Sequence, residues 1–374
     1  MSMRVAGPRW RQADPILMIA AVGLTGLGIL LVTSATWQYF EDPTLVRNTW
    51  FVKQVLFSVV GLTLMVGCAT LHPRLLHAVA YPIYGLSLLG LGAVLFVGHG
   101  SADYGAQRWI EVAGVPLQPS EATKVAMVIV LARVFAGGTP KLPTLAVSAA
   151  LLAGPVALIY LQPDLGTALV LIATWFGMVF LAGTPKRYLI ALGVLALVAT
   201  PVIWLGLKDY MRQRVLIFLN PQSDPLGQGY NILQAQISIG SGGMWGKGLL
   251  EGSQTQLRYL RVSHSDFIFS VLGEELGFIG AMVLFALFLF LLFRILHAHD
   301  IANDRFSSLL CVGVGSMIAF QAVANLGANV GITPVVGIPL PFVSYGGSAL
   351  VTQLVALGLV QATLVSRRRY RFEA

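Results

Sequence analysis

Runs of about twenty apolar residues recur almost from end to end of this 374-residue chain, and each is long enough to cross a hydrocarbon layer of about 30 Å as a helix. The runs predict spans at 15–36, 50–70, 78–98, 120–136, 145–161, 165–183, 188–207, 267–293, 307–330 and 347–366. The expected fold is therefore all-α and polytopic, with about ten transmembrane helices in a single integral membrane domain over 1–374. Composition agrees: 56% of residues are hydrophobic and 11% charged, outside the usual balance of a soluble domain. Arg4, Arg9 and Arg11 precede the first run, which is longer than a cleaved leader's core, so it is expected to be a retained signal anchor.

Ten spans put both termini on one side. Short loops and tails on that side hold Arg74, Arg133, Lys141, Lys186, Arg187, Arg294 and Arg305 together with the terminal arginines Arg367, Arg368, Arg369 and Arg371. That bias marks the side as cytoplasmic. The opposite side receives one large loop at about 208–266, between spans 7 and 8, within which Tyr230 to Ile239 reads as a short amphipathic helix on the membrane surface.

Several chemistries are excluded or reduced to structure. The net charge of +8 is spread along helix ends with no basic face interleaved with aromatics, so nucleic acid is not the partner; membrane lipids are. Cys68 and Cys311 fall inside spans and support neither a disulfide nor a metal site. The glycine-rich stretch Gly240 to Gly248 has serine at 241 and glycine at 248 where a phosphate loop needs glycine and Ser/Thr, so it is not an ATP site. Gly273-x-x-x-Gly277 and Gly327-x-x-x-Gly331 read as close helix-packing sites, and His297 and His299 lack further metal ligands.

The ionisable groups at the outer ends of the spans need a reason, because an unpaired charge in hydrocarbon costs at least about 2.5–3.5 kcal/mol. Glu121 and Lys124 are spaced to pair on one helical face. Asp164 follows Pro163 just before an apolar run, which is the position of a helix N-cap. Asp266 closes the large polar loop where the eighth span begins, so it reads either as another cap or as a carboxylate whose pKa is raised at a water–apolar boundary, as a general base requires. Glu274 and Glu275 lie deeper, with at least one expected to point into the bundle. Arg108, Lys208, Arg212, Arg214, Lys247, Arg258 and Arg261 supply cations for a diphosphate or for lipid headgroups.

Taken in order, Gly105 to Ile110, Gln118-Pro119-Ser120-Glu121, Gln162 to Thr167, Asn220-Pro221 through Tyr230, Gly240 to Gly248, Ser265 to Phe269, Gly273-Glu274-Glu275 and Pro334 to Gly347 resemble the SEDS family (shape, elongation, division and sporulation proteins) over most of the chain. Pro334 to Phe342 is more similar to the elongation branch than to the division branch. Val262-Ser263 and Asn325 to Asn329 depart from the family pattern, which bears on fine substrate contacts. The resemblance implies a peptidoglycan glycosyltransferase that polymerises lipid II during cell-wall elongation, in the bacterial inner membrane with its active site facing outward. Its essential aspartate falls on Asp266. It further implies a divalent cation, magnesium or manganese, and a class B penicillin-binding protein, the transpeptidase, as partner.

On that reading Asp266 is the catalytic base, and Arg108, Glu121, Lys124, Asp164, Arg214, Lys247 and His264 bind substrate, with Asp266 and Glu121 as the metal ligands. Two alternatives compete: a flippase for the lipid-linked precursor, which should carry polar groups through the membrane's depth, and a scaffold recruiting the transpeptidase, in which Asp266 is a replaceable cap.

Overall fold

The computed structural model describes residues 12–37, 50–101, 106–112, 114–224, 227–260 and 262–366. Ten long helices fall on the ten predicted spans: α1 (Pro15–Ala35), α2 (Trp50–Ala69), α3 (Pro73–Val97), α4 (Pro119–Ala136), α5 (Leu142–Leu161), α6 (Leu165–Leu181), α7 (Lys186–Gly206), α11 (Ile268–Asp300), α12 (Arg305–Val330) and α13 (Gly347–Val365). Seven of them, α1, α2, α3, α5, α11, α12 and α13, are long and apolar enough to cross a membrane, and α6 is a shorter apolar helix. Charge dilutes the apolar character of α4, which carries Glu121, Lys124 and Arg133 yet is buried over most of its surface.

α12 is the central post, packed against α4, α6 and α11, while α13 lies along α2. α7 stands at the periphery with apolar side chains such as Leu197 and Leu205 exposed, the surface a lipid-facing helix presents. Asp14, Asp164 and Asp304 cap α1, α6 and α12 through their carboxylates, each satisfying orphan N–H groups of a first turn.

The connections hold more structure than the sequence suggested. The loop before α4 is a three-stranded antiparallel sheet, β1 (His99–Ser101), β2 (Ala106–Val112) and β3 (Val115–Leu117), with His99 opposite Trp109 and Ile110 opposite Leu117. The large loop holds α8 (Asp209–Leu219), α9 (Gln228–Ser241) and the short α10 (Ser253–Gln256). α9 matches the expected amphipathic helix; α8 and α10 were not foreseen.

Gly273 is the close-packing position expected, since a Cβ there would lie 3.1 Å from Ile239 Cγ1 on α9, whereas Gly277 and Gly331 do a different job. Gly277 breaks α11 with φ 65° and ψ −162°, and the glycine-rich turn fills the break: Lys247 N–H donates to Glu274 O (3.0 Å), Gly248 N–H to Glu275 O (3.1 Å), Phe278 N–H to Gly243 O (2.9 Å) and Ile279 N–H to Met244 O (3.2 Å). Gly331, at φ 79°, terminates α12 in the left-handed conformation. Cys68 and Cys311 are free thiols.

Candidate active site

The helix ends around Asp266 meet at two adjoining cavities. The larger, about 510 Å³, is lined by Arg108, Trp109, Tyr210, Arg214, Asn231, Asp266 and neighbouring residues of α8 and α9. The smaller, about 190 Å³, is lined by Arg108, Gln118, Glu121, Lys124, Asp164, Ser265, Asp266, Gly337 and Tyr345 among others. Arg108, Trp109 and Asp266 belong to both, so the aspartate stands where the two chambers join.

Asp266 is not a helix cap. The N-cap position of α11 is Phe267, which has no side-chain bond to offer; instead Asn329 on α12 accepts from Ser270 N–H (3.2 Å) and Ser270 Oγ–H (2.7 Å). A cap supplied from another helix leaves the Asp266 carboxylate free for the cavity. Its neighbours are the Ser265 hydroxyl, which donates at 3.4 Å, and the Arg214 and Arg108 guanidinium groups. A Cβ built on Gly337 would stand 3.8 Å from Arg214 Nη1 and 3.9 Å from Asp266 Oδ2, so carboxylate and cation converge on one point.

Part of the Asp266 surface opens to the cavities, but protein surrounds the group closely. Desolvation by that burial raises its carboxyl above the ordinary aspartate value, while Arg214, the Ser265 hydroxyl and Arg108 pull the other way. A raised pKa makes the carboxylate a stronger base.

The backbone around Asp266 is fixed as firmly as its side chain is free. The Asp266 carbonyl accepts from Asn325 Nδ2 (3.0 Å) and Asn329 Nδ2 (2.9 Å). Ser344 Oγ–H donates to Ser265 O at 2.6 Å, and Tyr345 N–H to His264 O at 2.8 Å. The His264 ring sits between Trp50 and Tyr345, with centroids 5.3 and 5.6 Å away, and burial lowers its pKa. His264 therefore anchors the loop and does not line either cavity.

The remaining expected residues divide. Arg108, on β2, donates from Nε to Gln162 O (3.2 Å) and from Nη2 to Pro163 O, and its Nη1 lies 4.0 Å from Asp164. Asp164 is both the α6 cap, receiving Thr167 N–H (3.2 Å) and Oγ–H (2.8 Å), and a wall of the small chamber. Lys124 Nζ is 2.7 Å from Glu121 Oε2, both buried. Lys247 is not brought to the site. Its ammonium lies 2.8 Å from Glu274 Oε1, and Glu274, fully buried, also accepts from Gln254 N–H (2.9 Å) and Thr255 N–H (3.2 Å), so this pair builds the α10 turn. Glu275 is likewise buried and accepts from the Ser34 hydroxyl on α1 (2.5 Å).

Three polar atoms face the large cavity, one on the expected Arg214 and two on Tyr210 and Asn231, which the sequence reading did not single out. Tyr210 OH, Arg214 Nε and Asn231 Oδ1 are buried without a hydrogen-bond partner among the described residues. Buried polar atoms left unpaired cost about 1–3 kcal/mol each, and a polar ligand in the chamber relieves that cost. The signal for Tyr210 and Arg214 was a four-residue spacing on one face of α8; Asn231 sits in the first turn of α9 and carried no spacing signal.

A divalent cation fits this donor set only sparsely. Among the described residues no group of three or more His, Cys, Asp or Glu could hold one. Magnesium needs only one or two carboxylates, with substrate phosphate and water completing its shell; Asp266 fits that pattern. Glu121, expected as a second ligand, is closed against Lys124 and does not.

Comparison with known proteins agrees with this architecture. A family profile described as cell cycle protein, covering FtsW, RodA and SpoVE, matches residues 15–369. The peptidoglycan glycosyltransferase MrdB of Escherichia coli K12 is 37% identical over 358 residues, which cover 95% of this chain and 94% of that protein. A probable peptidoglycan glycosyltransferase FtsW of Trichlorobacter lovleyi is 36% identical over 364 residues, covering 94% and 93%. Among solved structures, a chain from a peptidoglycan synthase complex that coordinates polymerisation and crosslinking superposes with TM-score 0.79 at 34% identity, covering 94% of this chain and 97% of that one. The rod-shape-determining protein RodA of Thermus thermophilus superposes with TM-score 0.69 at 32% identity, covering 97% and 99%. Profile, relatives and fold agree over nearly the whole chain, which is a multi-pass membrane protein and belongs to the FtsW/RodA/SpoVE family of cell cycle proteins.

Proposed function

We propose that this chain is a peptidoglycan glycosyltransferase that joins lipid-linked disaccharides, with Asp266 as the general base. The observation that carries the assignment of the base is the Asp266 carboxylate itself: released from helix capping by Asn329, it faces a cavity shared with Arg108 and Arg214. The names of the relatives supply the reaction class, and lipid II follows from the motifs.

In this reading one Asp266 oxygen takes the proton from the acceptor sugar 4-hydroxyl as that oxygen bonds to the donor's anomeric carbon. The anomeric carbon–phosphate bond breaks, the lipid diphosphate leaves, and an α-linked donor becomes a β-linkage in one inverting step. The proton then passes from Asp266 to solvent. The leaving diphosphate spreads its own charge, so the site needs cations more than an acid; Arg108 and Arg214 flank the base and Lys124 lines the smaller chamber. A bound divalent cation would add charge neutralisation at the diphosphate, held through Asp266. A neighbour from a synthase complex that coordinates polymerisation with crosslinking supports a transpeptidase partner, and the positive charge at the opposite helix ends supports an outward-facing site.

The test is lipid II polymerisation by the purified chain with its transpeptidase and a divalent cation, wild type against Asp266→Asn. Long glycan from wild type and none from a folded, partner-bound Asp266→Asn protein is the expected result. Equal polymer from both removes Asp266 as the base.

A further inference from the structure

Gln321, Asn325 and Asn329 recur every four residues along α12, which places them on one helical face. All three are buried at the centre of the bundle, at 0%, 3% and 0% exposure. Amides in such surroundings are costly unless hydrogen-bonded, and each of these is engaged at both ends. Gln321 Oε1 accepts from Lys124 Nζ (3.3 Å) and Gln353 Nε2 (3.2 Å), while its Nε2 donates to Met317 O (3.3 Å). Asn325 Nδ2 donates to Asp266 O (3.0 Å) and Ile338 O (2.9 Å). Asn329 Nδ2 donates to Asp266 O (2.9 Å) and Asn325 O (2.9 Å), and its Oδ1 caps α11 at Ser270.

The consequence is geometric. One rung of the ladder grips a cation of the small chamber, and the other two grip the backbone of the base and the first turn behind it. Gln353 extends the first rung by accepting from Phe342 N–H (2.8 Å), in the same 331–346 connection whose Ile338 carbonyl Asn325 holds. A single rigid helix thus sets the relation between Lys124 and Asp266. Neither amide of the lower rungs lines the cavities, so their contact with the reaction runs through Asp266.

We propose that Gln321, Asn325 and Asn329 are positioning residues that hold the Lys124 ammonium and the Asp266 carboxylate in fixed relation across the two chambers. The inference rests on Asp266 being the base. An apolar residue of similar size is readily accommodated inside a helix bundle, so a purely structural ladder would tolerate replacement, whereas a displacement of about 1 Å at a reacting group costs about 100-fold in rate.

The decisive variant is Asn325→Leu, which leaves the Asp266 carbonyl one donor, Asn329, and so removes alignment without orphaning that group, while the Ile338 carbonyl loses the donor Asn325 supplied. Full-length protein in complex with its transpeptidase is assayed for lipid II polymerisation, with melting temperature measured on the same preparation. The expected result is a kcat lower by about 100-fold, with KM for lipid II within about threefold and a melting temperature lower by only a few degrees, the cost of the Ile338 carbonyl losing its donor. Unchanged kcat per folded molecule overturns the proposal, as does a raised KM at unchanged kcat. Should Asn325→Leu fail to fold, Gln321→Met, which frees Lys124 and the Gln353 amide while leaving the Asp266 backbone held, is judged by the same kcat and KM criteria. Asp266→Asn runs in parallel: if it polymerises like wild type, the assignment of the base has failed, and if it is inactive while Asn325→Leu is fully active, only the ladder has.

Discussion

Among the described residues four aspartates stand just before long helices, and three of them, Asp14, Asp164 and Asp304, are spent on capping. Asp266 is the exception because Asn329 does its capping for it. That difference separates a base from a structural carboxylate by measurement. A carboxyl whose pKa is raised on folding contributes stability below its unfolded value and loses that contribution as pH rises through the folded value, so the charged Asp266 is a net cost at neutral pH. Asp266→Asn is therefore expected to melt no lower than wild type at neutral pH while losing polymerisation, whereas Asp304→Ala, which deletes a working cap, lowers stability by about 1 kcal/mol. Arg214 holds the Asp266 pKa down against desolvation. Replacing it by glutamine removes that pull, so the acid limb of the kcat/KM profile of Arg214→Gln moves to higher pH than in wild type; a limb that stays put, or moves to lower pH, would show that Arg214 does not act on the base.

At the scale of elements, the helices were legible because a membrane imposes one rule on every span, and predicted and observed ends agree within a few residues for most of them. α3, α5 and α11 begin or end up to seven residues beyond their predicted spans, since polar residues such as Arg74, Thr144 and His297 can be helical without being apolar. The interlock between the Gly240–Gly248 stretch and α11 was not legible, because backbone pairing between distant segments leaves no periodicity. Asp266, Arg108 and Arg214 could be named from position and charge, and the Glu121–Lys124 pair from its three-residue spacing; the ladder on α12 could have been found from its four-residue spacing of amides in an apolar helix, whereas the spent state of Lys247 depends on Glu274, a partner that only the fold brings near. The interlock makes its own prediction. Gly246 has φ 80°, and a Cβ there would lie 2.1 Å from Glu275 O, so Gly246→Ala combines left-handed strain with backbone overlap and is expected to cost at least about 2 kcal/mol. Gly240, in α9 with open space beside it, is the control: Gly240→Ala is expected to be neutral or to stabilise by up to about 1 kcal/mol. Thermal unfolding of the two purified variants decides the matter, and equal melting temperatures would mean that the turn does not hold the α11 break together.

For the whole molecule, the question is which way the cavities face. α12 runs from Arg305 to Val330, with Asn329 at the Asp266 end, so Arg305 marks the opposite end of the bundle. There its guanidinium binds the last carbonyls of two helices, Phe135 O (3.0 Å) and Ala182 O (2.8 Å), tying α4 and α6 to α12. Orientation follows Lys and Arg in short loops and close to span ends, and the rule weakens as a loop nears about 60 residues. The large loop therefore weighs less than the short connections. The short connections at the Asp266 end and their flanking turns hold Lys53, Arg108 and the Glu121-paired Lys124 among the described residues, while those at the other end hold Arg74, Arg133, Lys141, Lys186, Arg187, Arg294 and Arg305, and the sequence continues from that end into its arginine-rich termini. The cavities are thus expected to open away from the cytoplasm, where a growing glycan strand lies. Single cysteines in a Cys68→Ser/Cys311→Ala background test this in spheroplasts with a membrane-impermeant maleimide. Gln222→Cys, exposed in the large loop, should label at once, and Asn303→Cys, exposed between α11 and α12, only after the membrane is permeabilised. The reverse pattern would turn the Asp266 cavity toward the cytoplasm and remove glycan polymerisation at the outer surface as its function.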